Sequence, residues 1–458
     1  MEIDHPRLRR NKATTFLPDK VFDLSHAFVV PLKHVPIDGL MALKNCSESP
    51  LADISIPVCS SSSPGPSSPK GSTASADGST GETDYKTLTS LPLGMPARFP
   101  IHKSYWQELL GAMSLTAMME EPEMMYTYLL QLSQCYEAMA PNQKVVAFTS
   151  DMPVRKAFYG LVYNSTRTGL IVDSESYNII GVLSVTDFVM VLMKLWKYQQ
   201  QVTNGDKNEN VTTEKLTDLV GCMPVARWKE HQKLDGDCYR EFITVDVKDS
   251  LFHAIEILRK RRVHRLPVMD SATNDCMFIL THRRVLHYLW NFCLLLPKPD
   301  YMTKSIKELK LGCWDDIVSV DESTTLIDTL DLLIGEKISG VPVVQNGTKK
   351  VVAVYTRFDA IAVGFDEKLQ QLNMSVAEAV EERRKLFGGV SGKESVVTVQ
   401  EDSTFWSVLE TFVEKNVHRL FAVDDEGSLK AVISLSDMIW YMAIRPDEEK
   451  RANNNDKP

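Results

Sequence analysis

Four stretches of the chain carry polar side chains at corresponding points of a strand-to-helix turn: Ser184–Asp187 (SVTD), Thr281–Arg284 (THRR), Tyr355–Asp359 (YTRFD) and Ser434–Asp437 (SLSD). An ionised carboxylate only accepts hydrogen bonds, and its two oxygens suit a pair of neighbouring hydroxyls such as those of a ribose. Asp187, Asp359 and Asp437 could each do this, with nearby hydroxyls and helix N–H groups adding polar contacts. About 20 residues earlier stands a second slot, occupied by Arg167–Thr168, His264–Arg265, Ser339–Gly340 and His418–Arg419. Arginine binds phosphate through paired, charge-assisted hydrogen bonds, and histidine adds a pH-dependent donor. Singly, each Asp reads as a helix cap and each VHRL as a structural turn. Three carboxylates in register with this second slot favour binding over capping. Arg284 donates where the other copies accept, so the second copy is expected to hold no nucleotide.

These slots need elements to position them, and the chain supplies the same elements four times. VVAFTSDMPVRKAF, FITVDVKDSLFHAI, IVSVDESTTLIDTL and VVTVQEDSTFWSVL each read as a short apolar strand, a turn and a helix. Asp, Ser or Thr near each helix start can cap free N–H groups. Thirteen residues after the first apolar helix position come Arg167, His264, Ser339 and His418. A β-rich run, a turn, another strand and a second helix then follow, giving β-α-β-β-α units of about 50 residues. One such unit would be marginal alone, so the units should pair, the first with the second and the third with the fourth.

Composition bounds the rest. The 458 residues include 51 Lys+Arg and 60 Asp+Glu, a net charge of −9, which argues against general affinity for nucleic acid. Any bound anion must be caught locally. The eight cysteines form no CxxC and the histidines no metal-ligand spacing, which fits a reduced cytoplasmic or nuclear chain. No signal peptide or apolar run of membrane-spanning length is read, so no membrane partner is expected. Residues 1–100 include the Ser/Pro/Gly-rich CSSSSPGPSSPKGSTASADGSTG and are expected to be a disordered tail. Lead-in helices over 101–143, with a break near Pro122, precede the first repeat (144–198). A linker (199–240) leads to the second repeat (241–296), the third (310–370) and the fourth (390–445), with a polar tail at 446–458.

The segments VHRLPVMD, ILTHRRVLHYL, PKPDYMTKSIKEL, VHRLFAVDDEG and VISLSDMI resemble those of the γ subunit of AMP-activated protein kinase, a family with four CBS repeats. The resemblance covers roughly residues 125–443. It implies an α+β fold in which the four CBS repeats form two paired Bateman modules arranged as a disc, with phosphates from different sites meeting at its centre. Carried over, Asp187, Asp359 and Asp437 would hold ribose, and Arg167, His264, Arg265, Arg283, Arg383, His418 and Arg419 would face phosphates. Ser339, Gly340, Thr356, Ser434 and Ser436 would line the third and fourth pockets, with Arg357 among the binding positions. Val182, Ile243 and Val318 would pack beside adenine. The implied ligands are AMP, ADP and ATP, and the implied partners are a kinase α catalytic subunit and a β scaffold subunit. Four positions depart from the family: Cys313 replaces a Thr in the site, His287 a Lys, and Thr168–Gly169 two small apolar residues.

Other signals are weaker. FGGVSGKES lacks the first glycine and the final Ser/Thr of a phosphate-binding P-loop. RKRRVHR could suit a polyanion, but it runs directly into the second phosphate slot. No nucleophile, base and orienting group form a set, so catalysis is not expected; the resemblance implies an adenine-nucleotide-sensing regulatory subunit of a kinase heterotrimer. The alternative is a scaffold subunit of the same complex with reduced or lost nucleotide response.

Overall fold

The thirteen-residue spacing corresponds to one helix and a turn in every unit. The first helices are Val154–Tyr163, Leu251–Lys260, Leu326–Gly335 and Phe405–Lys415. Ser250, Thr325 and Thr404 cap the last three, each side chain accepting from the backbone N–H three residues on. The first helix departs from the expected oxygen-capped start: it follows Pro153, whose φ of −59° sets the turn without a side-chain cap.

The structure, a computed structural model, describes residues 28–31, 121–140, 144–204, 213–235, 241–363, 369–386 and 396–455. The chain divides into two units, Met1–Leu32 with His102–Pro458 and Lys33–Ile101, and all described residues belong to the first. Its strands are β1 (Phe28–Pro31), β2 (Lys144–Thr149), β3 (Thr168–Val172), β4 (Ile179–Ser184), β5 (Val245–Asp246), β6 (Arg265–Asp270), β7 (Asp275–Thr281), β8 (Val320–Asp321), β9 (Gly340–Val344), β10 (Val351–Thr356), β11 (Thr398–Gln400), β12 (Arg419–Val423) and β13 (Leu429–Ser434). They form four small mixed sheets, β1-β2-β3-β4, β5-β6-β7, β8-β9-β10 and β11-β12-β13. In each repeat the first strand pairs parallel with the second across the helix, and the second pairs antiparallel with the third. The central strands are apolar over most of their length because both faces are covered.

Hydrophobic burial joins the units differently from the expected pairing. One large core unites the second and fourth repeats through Phe252, Leu289, Phe292, Phe405, Leu409 and Met438, and takes in the entry helix Met125–Leu132. Another unites the first and third through Phe158, Phe188, Leu330 and Tyr355. Sheet contacts supply the expected pairs: Val344, Val354, Phe421 and Leu429 form a small cluster between the third and fourth repeats, and β2 lies against β7 between the first and second. The helices carry the larger apolar faces, so helix packing, not sheet packing, makes the main cores.

Several expected boundaries shift. Within the expected tail, Phe28–Pro31 pairs antiparallel with β2; the rest of that tail lies outside the described residues. Of the lead-in helices only the part from Glu121 is described, a short 3-10 turn starting at the break residue Pro122 and then Met125–Leu132. The first repeat's second helix runs on to Asn204, and the linker folds into helices Thr213–Cys222 and Val225–Asp235. The third repeat's second helix is only a 3-10 turn, Asp359–Val363, followed by Val376–Leu386. The expected polar tail continues as helix Arg445–Asn455, tied back by Arg445 to Glu123 and by Lys450 to Glu121. Among the described residues no helix is long and apolar enough to cross a membrane. The FGGVSGKES stretch lies outside the described residues.

Candidate functional site

The distance of about 20 residues between the two slots is a hairpin register. Antiparallel pairing sets Thr168 opposite Ser184, Arg265 opposite Thr281, Gly340 opposite Thr356, and Arg419 opposite Ser434. Residues remote in sequence thus become lateral neighbours at the end of each hairpin, where the second helix begins. Backbone bonds tighten the junction: Val185, Arg357 and Leu435 N–H groups donate to the carbonyls of Arg167, Ser339 and His418 at 3.1, 3.1 and 3.3 Å.

At that junction the three carboxylates share one local geometry and differ in their cations. Asp187 Oδ2 accepts from Ser184 N at 2.6 Å and Ser184 Oγ at 2.9 Å. Asp359 Oδ2 accepts the same pair from Thr356 at 2.7 and 2.9 Å, and Asp437 Oδ2 from Ser434 at 2.8 and 2.7 Å. Helix capping and ligand binding are therefore not alternatives, since each cap occupies Oδ2. Asp187 also meets Lys229 Nζ through Oδ1 at 2.6 Å, and Asp359 meets Arg383 at 2.9 Å. Asp437 has no cation within ion-pair distance among the described residues. Burial pushes its pKa up, the Ser434 hydrogen bonds offsetting this only in part. Burial would also raise Asp187, but Lys229 and Ser184 outweigh it and hold that carboxyl below its ordinary value. In the second repeat, Arg284 fills the slot as expected, its N–H capped by Thr281 and its guanidinium donating to the Ala138 carbonyl at 3.4 Å. Burial, then Arg283, lowers the Arg284 pKa to about 10.

The basic slots converge. His418 is driven down to about 2 by burial and then by Arg167, Arg283, Arg265 and Arg419, groups from the first, second and fourth repeats. Arg265 falls to about 9 through burial, then Arg167 and Arg283. The third repeat joins through Ser339, whose Oγ accepts from Arg419 Nη2 at 2.7 Å. A Cβ on Gly340 would overlap Arg419 Nη1 and lie 2.7 Å from Cζ and 2.8 Å from Thr356 Cγ2, so glycine there makes room for the guanidinium. The first and third repeats also clasp each other. Arg167 lies 4.6 Å from the Phe358 ring, while Arg357 donates to Thr186 Oγ1 at 3.2 Å and to the Leu333 carbonyl at 2.7 Å. Like charges held together in a partly buried place favour an anion, and the donor set suits phosphate.

The remaining expected residues lie around this centre with varying closeness. Cys313 bridges Val432 by two backbone bonds of 2.9 and 3.0 Å. Burial, then Asp437, Asp315 and Asp316, raises its thiol pKa, so it neighbours the fourth slot. Ser436 bonds Ser434 at 2.7 Å there. Val182 is half-buried on β4; Ile243 packs against the core of the second and fourth repeats and Val318 against that of the first and third. His264 is exposed, with its ring 6.2 Å from His282, and Arg383 sits against Asp359 and the Val354 carbonyl. Two residues were not anticipated. His282, adjacent to Arg283, is lowered by burial to about 4. Lys229 was hidden in the linker, where WKEH beside a buried Trp228 was the available signal of a packed helix. Within RKRRVHR, Arg259 pairs with Glu448 and Lys260 with Glu256, so part of that run is already neutralised.

Comparison with known proteins meets the same geometry. The CBS domain family matches residues 237–291, 306–365 and 392–444, the second, third and fourth repeats. Over 321 residues, 70% of the chain, it is 32% identical to 5'-AMP-activated protein kinase subunit gamma-3 of both Sus scrofa and Homo sapiens. Three CBS domains are thus matched within the chain, which is similar to these γ subunits. It spans 58% of the pig protein's length and 61% of the human protein's. A solved structure from Methanocaldococcus jannaschii, described as an archaeal homologue of the γ subunit, superposes with a TM-score of 0.50 at 19% identity. It covers 66% of this chain and 97% of its own, supporting the α+β CBS-repeat fold. The first repeat lies outside the three matched stretches, yet its hairpin register repeats that of the others.

Proposed function

We propose that the chain is a non-catalytic, adenine-nucleotide-binding regulatory subunit of a protein-kinase heterotrimer, assembled with an α catalytic and a β scaffold subunit in the cytoplasm. The observation that carries this reading is the convergence of Arg167, Arg265, Arg283, His418 and Arg419 from the first, second and fourth repeats, joined by Ser339 of the third, beside carboxylate-bearing helix starts. Asp437 is the first candidate for ribose, because its described hydrogen bonds reach Oδ2 and leave Oδ1 for a hydroxyl. Asp359, beside Arg383, is the second. AMP, ADP and ATP compete for shared pockets and differ in the phosphate charge they bring to the cluster. The signal reaches the kinase only as a difference in nucleotide affinity between kinase conformations.

Titration calorimetry of the full chain with AMP and with ATP tests the reading, and absence of binding at millimolar nucleotide would sink it. Asp437→Asn should weaken the site it serves about tenfold or more, as a charge-assisted hydroxyl contact is lost. The scaffold reading, with reduced response, is favoured by Cys313 beside Asp437. It predicts capture of α and β subunits together with kinase activity that does not change with AMP.

A further inference from the structure

The three carboxylate slots are not equivalent, and the first is already filled from within the chain. Asp187 Oδ2 takes the Ser184 backbone and hydroxyl, and Oδ1 takes Lys229 Nζ at 2.6 Å. The neighbouring Thr186 hydroxyl accepts from Arg357 Nη1. The ion pair is shielded: the Asp187 side chain is 9% exposed and that of Lys229 24%. Among the described residues Asp437 makes only its cap bonds, so the difference lies in the surroundings and not in the shared cap.

Lys229 is also held in place by more than this pair. Its helix, Val225–Asp235, docks on the first repeat through Val225 N–H to the Met152 carbonyl and Ala226 N–H to the Ser150 carbonyl, both 2.9 Å. The adjacent Trp228 is buried, with Lys194 Nζ 5.7 Å from its ring, and Gln232 is buried against Met190. A lysine on so anchored a helix loses little further freedom in reaching Asp187. A ribose there must displace a shielded, preorganised ammonium and leave it without its carboxylate, an exchange that costs more than two hydroxyl hydrogen bonds return.

We infer that Lys229 acts as an internal ligand of the first slot: it closes that slot to nucleotide and makes Asp187 a joint holding the linker helix to the first repeat. This rests on the nucleotide-binding reading above and narrows it, leaving the third and fourth slots as ribose sites. Arg357 closes the slot further by engaging Thr186, so the block draws on the linker and the third repeat together.

The test uses the full chain with AMP as probe. Asp187→Asn is expected to leave the number of AMP equivalents unchanged and each Kd within about twofold of wild type, whereas Asp437→Asn removes one equivalent. Loss of an equivalent, or a tenfold weaker site, in Asp187→Asn overturns the inference. A double-mutant cycle in nucleotide-free melts, using Asp187→Asn, Lys229→Gln and both together, reads the joint itself. Each single change should raise the unfolding constant on the order of 10- to 100-fold, with the double adding little to either. Additive effects overturn the joint. If wild type binds no AMP, the functional reading fails, while the cycle still decides whether Lys229 and Asp187 are coupled.

Discussion

Arg265→Met isolates the idea that the basic centre is a strained receptor relieved by phosphate. Arg265 keeps its charge at neutral pH although burial, Arg167 and Arg283 lower its pKa from 12.5 to about 9. At about 1.4 kcal/mol per decade, carrying that charge costs the nucleotide-free fold roughly 5 kcal/mol. Solvent and loosely held anions screen part of this, so a recovery of about 2 kcal/mol is the working figure. Methionine keeps most of the apolar stem and removes the charge. The nucleotide-free variant should therefore melt about 4 °C above wild type, at roughly 2 °C per kcal/mol for a chain of this size. Nucleotide reverses the advantage. Losing a bidentate phosphate contact costs about 1.5–3 kcal/mol, or roughly 10- to 100-fold in Kd.

These two effects make one experiment decisive. At AMP equal to about 100 times the wild-type Kd, wild type gains about 2.7 kcal/mol by mass action. A variant binding about 30-fold more weakly gains only about 0.9 kcal/mol at the same concentration. Added to its head start, this brings the two melting temperatures together, so scanning calorimetry with and without AMP should show a gap that closes on adding ligand. A nucleotide-free Arg265→Met that melts below wild type, or an unchanged Kd by titration, refutes the argument, because Arg265 would then be a satisfied structural group.

Acid should destabilise the nucleotide-free protein from pH 6.5 downward. His418 and His282 have depressed pKa values, about 2 and about 4, so the fold keeps them neutral while the unfolded chain takes up protons below pH 6.5. Their contribution is complete above that pH and is lost as pH falls, by up to about 2 kcal/mol each at pH 5; His418→Gln should halve the slope of stability against pH, and a flat profile from pH 7.5 to 5 contradicts it. Gly340→Ala, whose new methyl overlaps Arg419, should raise the Kd for AMP about tenfold; equal affinity would show that Arg419 can vacate that position freely. Alkylation of the exposed Cys313, followed by peptide mass spectrometry, should be slow because burial and then Asp437 raise its thiol pKa. Asp437→Asn should speed it and AMP should retard it; no response to either would place Cys313 outside the fourth pocket.

Periodicity made much of this architecture readable. The first apolar residue of each helix, Val154, Leu251, Leu326 and Phe405, and the hairpin pairing behind the spacing of about 20 are local properties, fixed by helix length and strand register. Which units share a core was not local. It depends on the faces that helices such as His282–Cys293 and Leu435–Ile439 present to one another, and hairpin-by-hairpin reading has no access to that. Lys229 escaped for the same reason: a polar linker offers no periodic signal, and its meaning appears only once Trp228 seats the helix beside Asp187. The helix Arg445–Asn455 is not legible in sequence because DEEKRANNN is polar on all sides, and it is tied down by partners 322 and 329 residues away, Glu123 and Glu121.

The two cores and the basic centre together explain how a small ligand could act on so large a chain. Helix packing fastens the first repeat to the third and the second to the fourth, while thin sheet contacts join the other pairs. Arginines from both core groups repel one another where those groups meet, so the ligand-free arrangement carries a cost located at the junction and not within either core. A phosphate group replaces mutual repulsion with shared attraction and strengthens that junction, and an added phosphate changes the charge balance there without altering either core. On the proposed function, a nucleotide would therefore act on the relation between the two halves. A kinase that grips both halves would sense that relation, whereas one that grips a single core would not.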